Sequence, residues 1–308
     1  MCGIAGYISK TDGPFQKSVV EQLLLDIQPR GKDAVGMAWL EGTRFKVGKS
    51  PGLVSAYLDM PEYFENEDKI AASRLVLLHT RAASHGDPKN NKNNHPLYND
   101  QGIIIHNGIV TPPKWLKKAQ GQTDSEQLMM YLQNQGFKAI NQMKGWLAIA
   151  YFDFASRSLY LYNHDAPLYM VQTPDSLVWS SYPDSLRKMD VGAVVSVPRD
   201  TLYRINDVDM KLEVVGTFAP KSYSVTQVTR IVATAPASAT DGATHVVPTG
   251  PPESQQQAWI RKTYAKKYNQ HHGKNGPVRS SFVPVAPGDP KVAIPGDEKT
   301  NWQHRLWE

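Results

Sequence analysis

Along the first two hundred residues the apolar positions fall into short runs, each bounded by Gly, Pro, Asn or Asp: CGIAGYI, AVGMAWL, RFKVG, LVLLH, IIIH, LAIAYFD, SLYLY, LYMVQ, LVWSS, AVVSV and TLYRI. Runs of this length, rich in β-branched and aromatic residues and separated by turn formers, predict β-strands. Two segments keep a different period. In PFQKSVVEQLLLDIQ, residues Val19, Val20, Leu23, Leu24 and Ile27 recur at the spacing of one helix face, and Pro29 closes the segment. In TDSEQLMMYLQNQG, Thr123 and Glu126 form a capping-box pattern and Gly136 supplies the stop. Strands, then helices, then more strands, with no repeated βαβ unit, predict an α+β layered domain.

The pattern stops near residue 220. Residues 221–308 hold 9 of the 22 prolines and stretches such as ATAPASATDGATHVVPTGPPE, which lack periodic apolar residues. Such composition does not bury enough surface to offset the entropy of ordering the chain, so an extended or disordered tail is expected. Within it, 253–268 reads as a basic helix, and Trp302 and Trp307 as anchors. The expected organisation is a domain over 2–220 and a Pro-rich basic tail over 221–308.

Charge changes this picture little. The formal net charge is +5, and the tail alone holds 11 Lys/Arg against 6 Asp/Glu, so the domain is balanced. So thin a basic excess makes nucleic acid an unlikely partner, because that affinity comes from several clustered phosphate contacts. No apolar run approaches the roughly 20 residues needed to cross a bilayer, and the start lacks the regions of a signal peptide, so no membrane association and a cytoplasmic location are expected.

Chemistry enters with Cys2, the only cysteine in 308 residues. It has no intramolecular disulfide partner and does not build a metal cage by itself. Methionine ahead of a small residue is commonly removed, and the new first residue would carry both a thiol and an α-amine. An amine with a pKa near 8 moves protons at neutral pH, and a deprotonated thiol is a strong nucleophile, so one residue would supply nucleophile and base. Four further stretches carry unusual polar groups at strand ends: PRGKDAVG at 29–36, HTRAASHGDP at 79–88, HNGI at 106–109 and TDSE at 123–126.

Together with NHP at 94–96, KGWLAIAYFD and LVWSS, these pieces run in an order that resembles the glutaminase domain of class II glutamine amidotransferases, which are N-terminal-nucleophile hydrolases. The resemblance covers about residues 2–205 and is greatest to the glutaminase domain of glucosamine-fructose-6-phosphate aminotransferase. It implies a four-layer αββα sandwich of two antiparallel sheets between helices. It implies Cys2 as nucleophile, with the Asn107 side chain and the Gly108 N–H stabilising the tetrahedral oxyanion. It also implies Arg81 on the α-carboxylate of glutamine with Ser84 and His85 as neighbouring donors, Asp124 on the α-ammonium, and Arg30 beside the nucleophile as a cation favouring thiolate.

Plainer readings stand beside these. Asn-Gly is a strong hairpin signal, an acid such as Asp124 suits the first turn of any helix, and Arg30 has Asp33 nearby as an ion-pair partner. His79, His85, His95 and His106 match no common zinc spacing, so no metal and no cofactor are expected, and Tyr160, Tyr162 and Trp179 read as sheet core. Three departures from the family pattern are visible. Ala82 stands where relatives have a tryptophan, the segment from Asn107 to Asp124 is short, and nothing after residue 205 resembles an ammonia-accepting domain. The expected activity is hydrolysis of glutamine to glutamate and ammonia by a stand-alone domain, with ammonia passing to a separate synthase. The alternatives are an amidase for another γ-glutamyl or peptide amide, and a non-catalytic scaffold that binds partners through the tail.

Overall fold

The structure, a computed structural model, describes residues 1–111, 123–206 and 208–221. The expected tail helix and the two tryptophan anchors lie outside the described residues. From the N-terminus the elements are β1 (Gly3–Ser9), α1 (Lys17–Ile27), β2 (Ala34–Glu41), β3 (Arg44–Pro51), three short helices α2 (Val54–Leu58), α3 (Pro61–Phe64) and α4 (Glu67–Ala72), then β4 (Leu75–Arg81), β5 (Leu97–Tyr98) and β6 (Gly102–Thr111). They continue with α5 (Asp124–Gln135), β7 (Lys144–Asp153), β8 (Ser158–His164), β9 (Tyr169–Gln172), β10 (Ser176–Ser180), α6 (Pro183–Arg187), β11 (Val195–Ser196), β12 (Thr201–Asn206) and β13 (Leu212–Thr217).

The strands form two antiparallel sheets. The first has the order β11-β9-β10-β1-β4-β2-β3 and the second the order β13-β12-β8-β7-β6-β5. Their inner faces share one core, in which Ile4 and Ile8 of β1 and Leu75 and Leu77 of β4 meet Ile103 and Ile105 of β6, Ala148 and Ala150 of β7, and Trp179 of β10. Helix α1 covers the outer face of the first sheet at β1 and β4, and α5 covers the outer face of the second at β6. The expected α+β sandwich is therefore present in four layers. Central strands such as β1 and β4 are buried along their whole length, which is why they read as continuous apolar runs rather than as alternation. Trp179 is fully buried in that core and Tyr162 in a second core between β6–β8 and α5, as expected, while Tyr160 is only partly buried against the second.

Both predicted helices exist, and their ends follow from local chemistry. Val20, Leu23, Leu24 and Ile27 of α1 are buried, each stabilising the domain by about 1.5–3 kcal/mol. Pro29 sits in a 3-10 turn that ends the helix. The Thr123 side chain accepts from the Glu126 N–H at 3.2 Å, and Gly136 ends α5 with φ 67°. The run AVVSV yields only the two-residue β11, and the three short helices between β3 and β4 have no counterpart among the predicted elements.

Candidate active site

Cys2 stands immediately ahead of β1, where β1 meets the end of β4. Gly3 pairs with Thr80 across these strands, and a Cβ on Gly3 would lie 2.5 Å from Thr80 Oγ1 and 2.6 Å from the Ile27 carbonyl oxygen. Only glycine lets the chain start enter this tightly. Arg30 Nε donates to the Cys2 carbonyl at 3.1 Å, so the turn after α1 holds the backbone of the cysteine. Its sulfur meets the backbone just beyond β4: the Ala82 N–H points at Sγ at 3.4 Å, and the thiol donates to the Ala82 carbonyl at 3.6 Å.

Arg81, the last residue of β4, is buried. Its guanidinium donates to Asn94 Oδ1 at 2.7 Å, to the Gly86 carbonyl at 3.1 Å, and to the His85 carbonyl. These bonds fold the loop over 82–86 back onto the arginine. Ser84 Oγ and His85 Nδ1 lie 3.1 Å apart on that loop, and His85 Nδ1 approaches Asp124 Oδ1 to 3.8 Å. Asp33 forms no ion pair with Arg30 among the described residues; its carboxylate accepts from the Ala83 N–H at 2.8 Å.

The HNG stretch corrects the hairpin reading. It lies inside the ten-residue strand β6, with Asn107 opposite Ala148 and Gly108 opposite Leu147 of β7. Gly108 has φ 154°, and a Cβ there would come within 2.2 Å of the Trp146 carbonyl oxygen, so only glycine fits. Alternation along β6 puts Asn107 on the face of Ile103 and Ile105, toward the first sheet. Its side-chain nitrogen and oxygen are both buried with no hydrogen-bond partner among the described residues. On the other face, Asp124 Oδ2 caps the Val110 N–H at 3.1 Å and His106 Nδ1 meets Ser125 Oγ at 2.9 Å.

Three of the four histidines come together. His79 and His95 stack with ring centroids 4.2 Å apart, His106 lies 6.4 Å from His95, and His79 Nε2 donates to the His106 carbonyl at 3.2 Å. Burial keeps all three neutral: His79 is pushed down to about 3, and His95 and His106 are also lowered. Among the described residues no cluster of His, Cys, Asp and Glu has the geometry to hold a metal ion.

Cys2, Arg81, Ser84, His85, Gly108 and Asp124 line one small cleft. The structure thus brings six of the eight expected site residues to one surface, while Arg30 and Asn107 approach Cys2 and Gly108 from outside that lining. Burial raises the thiol above its ordinary value, opposed by the Ala82 hydrogen bond, the terminal ammonium and Arg81, and reinforced by Asp124. Arg30 and Arg81 both interact electrostatically with Cys2, and with Met1 in place desolvation outweighs the cations around the sulfur.

No protein-family model matches the chain. Sequence relatives are more informative. The chain is 28% identical over 200 residues to glutamine–fructose-6-phosphate aminotransferase of Helicobacter pylori, covering 59% of this chain and 32% of that protein. It is 26% identical over 236 residues to the enzyme of the same name from Staphylococcus aureus, covering 68% and 38%. It therefore spans about a third of the length of the curated relatives it matches. Among solved structures, the glutamine phosphoribosylpyrophosphate amidotransferase from B. subtilis superposes with a TM-score of 0.54 at 17% identity, over 70% of this chain and 50% of that one. A structure of the allosteric regulatory enzyme of purine biosynthesis does so with a TM-score of 0.56 at 19% identity, over 71% and 50%. The chain is thus similar in sequence to glutamine–fructose-6-phosphate aminotransferases and in fold to glutamine phosphoribosylpyrophosphate amidotransferase.

Some residues that build this cleft have no signal for it in the sequence. Asn94, the first residue of the NHP piece and assigned no role there, is fully buried and braces Arg81. Thr123, which reads as a helix cap, and Ser125, which reads only as part of TDSE, also line the cleft. Ala82 acts on Cys2 through its peptide groups, which its side chain does not advertise. A buried asparagine beside a motif histidine was the one usable signal, and it needed the fold to be recognised.

Proposed function

We propose that this domain hydrolyses the side-chain amide of glutamine to glutamate and ammonia, with Cys2 as nucleophile. The observation that carries the reading is the meeting, in one cleft, of the Cys2 sulfur with Arg81, Asp124 and Gly108, next to an Asn107 amide that is buried without a partner. A buried amide left unpaired costs about 1–3 kcal/mol. It is explained if its partner is an oxyanion that exists only during reaction.

Met1 is 63% exposed, so its peptide bond to Cys2 is open to an aminopeptidase. Once it is removed, the α-amine of Cys2 takes the thiol proton and the sulfur attacks the side-chain carbonyl carbon of glutamine. The carbonyl oxygen takes up the electron pair and is met by the Asn107 amide and the Gly108 N–H. Collapse of this intermediate breaks the C–N bond, the departing nitrogen takes a proton from the α-ammonium, and ammonia leaves. Water then adds to the γ-glutamyl thioester, giving glutamate and restoring the thiol. Arg81 with Ser84 and His85 receives the α-carboxylate, Asp124 receives the α-ammonium, and Arg30 holds the backbone of the nucleophile. The ammonia serves an acceptor reaction in a separate synthase.

The test is glutamate release by the purified protein with Cys2→Ala as control and intact mass to read Met1 loss. Thiol-dependent turnover by the processed protein supports the proposal. A processed protein that releases no glutamate, or releases it equally as Cys2→Ala, overturns it.

A further inference from the structure

Two peptide units touch the Cys2 sulfur. The unit joining Arg81 to Ala82 turns its N–H on Sγ at 3.4 Å, and the unit joining Ala82 to Ala83 offers its carbonyl at 3.6 Å. The far pole of each is held by the same residue. The Asp33 N–H donates to the Arg81 carbonyl at 2.9 Å, and the Asp33 carboxylate accepts from the Ala83 N–H at 2.8 Å.

The backbone around Asp33 is fixed for this task. Gly31 packs flush against β4, where a Cβ would lie 2.4 Å from the Arg81 carbonyl carbon. Ala34 is in register with Arg81, and the Asp33 carbonyl accepts from the Gly52 N–H at 2.9 Å. Asp33 is exposed, on a rim where no core packing requires a carboxylate.

We infer that Asp33 is a positioning residue for the nucleophile, clasping the two peptide dipoles between which the Cys2 sulfur sits. A hydrogen bond at one pole of a peptide polarises and orients the other. The bond to the Arg81 carbonyl therefore aims the Ala82 N–H, a donor that favours thiolate, and the carboxylate aims the Ala82 carbonyl, an acceptor that holds the thiol proton. The inference rests on Cys2 as the nucleophile of the proposed reaction.

Cys2 is the only cysteine, so its alkylation by iodoacetamide as a function of pH reads this sulfur alone in the full-length protein. Asp33→Ala keeps the backbone bond and loses the clasp on the Ala82–Ala83 peptide. The alkylation midpoint then moves to lower pH, while kcat for glutamine falls roughly tenfold, the scale of one charge-assisted hydrogen bond. KM changes by no more than about threefold, because Arg81 keeps its own bonds to Asn94 and the loop carbonyls. Asp33→Asn, which retains an acceptor for the Ala83 N–H, recovers most of both losses. Should Asp33→Ala not accumulate as folded protein, Asp33→Ser is the second truncation, its hydroxyl being too short to reach.

A wild-type alkylation profile in the truncated variant, or an Asp33→Asn protein no better than Asp33→Ala, overturns the inference. The alkylation arm uses no glutamine. A wild-type protein without turnover thus sinks the amidotransferase reading, while the profile still decides for or against Asp33.

Discussion

Two neighbouring stretches of β6, 103–105 in its first half and 106–107 at the start of its second, are buried alike and chemically opposite. Ile103, Ile104 and Ile105 are wholly buried and fill the cores on both sides of the second sheet. His106 and Asn107 follow at 1% and 0% exposure, yet His106 Nε2 and both polar atoms of the Asn107 side chain have no hydrogen-bond partner among the described residues. The pairing with β7 continues without a break through both halves, so the backbone is equally satisfied. The first half stabilises the domain; the second costs it stability. A strand that gives up stability at one end only is organised around what that end must receive.

The sharpest way to break the contrast is to truncate one residue from each half. Asn107→Ala is expected to lower kcat for glutamine by about 10²–10³, the scale of one lost oxyanion donor, while urea unfolding shifts by less than about 1 kcal/mol, because no existing bond is lost. Ile105→Ala reverses the pattern. It is expected to destabilise the domain by about 2–5 kcal/mol, with kcat of the folded fraction within about threefold of wild type. Equal effects of the two variants on both readouts would erase the distinction between the halves.

Acid probes the polar half next. His79, His95 and His106 have folded-state values depressed below 6.5, to about 3 for His79. Below pH 6.5 the unfolded chain therefore binds protons that the folded domain refuses. Stability is fully present above that pH and is lost as pH falls toward the folded values, with a slope of up to about 1.4 kcal/mol per pH unit for each histidine that stays neutral. Urea midpoints between pH 7.5 and 4.5 should show this fall, and His95→Gln should flatten it. A flat wild-type curve would mean that the three rings are not held neutral.

Smaller effects test the partners of the strand. Arg81→Lys keeps the charge and loses the guanidinium fork, so KM for glutamine is expected to rise about tenfold with kcat changed less. A KM equal to wild type would remove Arg81 from carboxylate binding. Thr123→Ala removes the cap of α5 and is expected to cost about 1 kcal/mol in urea unfolding; a loss in turnover well beyond that in stability would show that Thr123 serves the cleft as well as the helix.

Much of this was legible in the chain itself. Helix α1 was readable because one apolar face repeats over eleven residues, and α5 because its start and stop carry dedicated cap residues. The helices of 54–72 are only four to six residues long, shorter than the window over which a helical period declares itself. At the site, the side chains with distinctive chemistry, Cys2, Arg81, Asn107 and Asp124, were named in advance from ordered motifs. The backbone donors of Ala82, the clasp of Asp33 and the burial of Asn94 were not, because each acts on a partner distant in sequence and none has a composition that marks it.

The order of residues by itself determined the two long helices, most of the strands and where the capped helix begins, and it placed the one cysteine directly after Met1, since these follow from local propensity, periodicity and residue chemistry. Only the tertiary structure decided that HNG lies within a strand instead of turning a corner, that three histidine rings gather in the buried interior, and that burial raises the thiol. Those outcomes depend on which strands become neighbours and how much water is left between them, quantities set by packing across the whole domain.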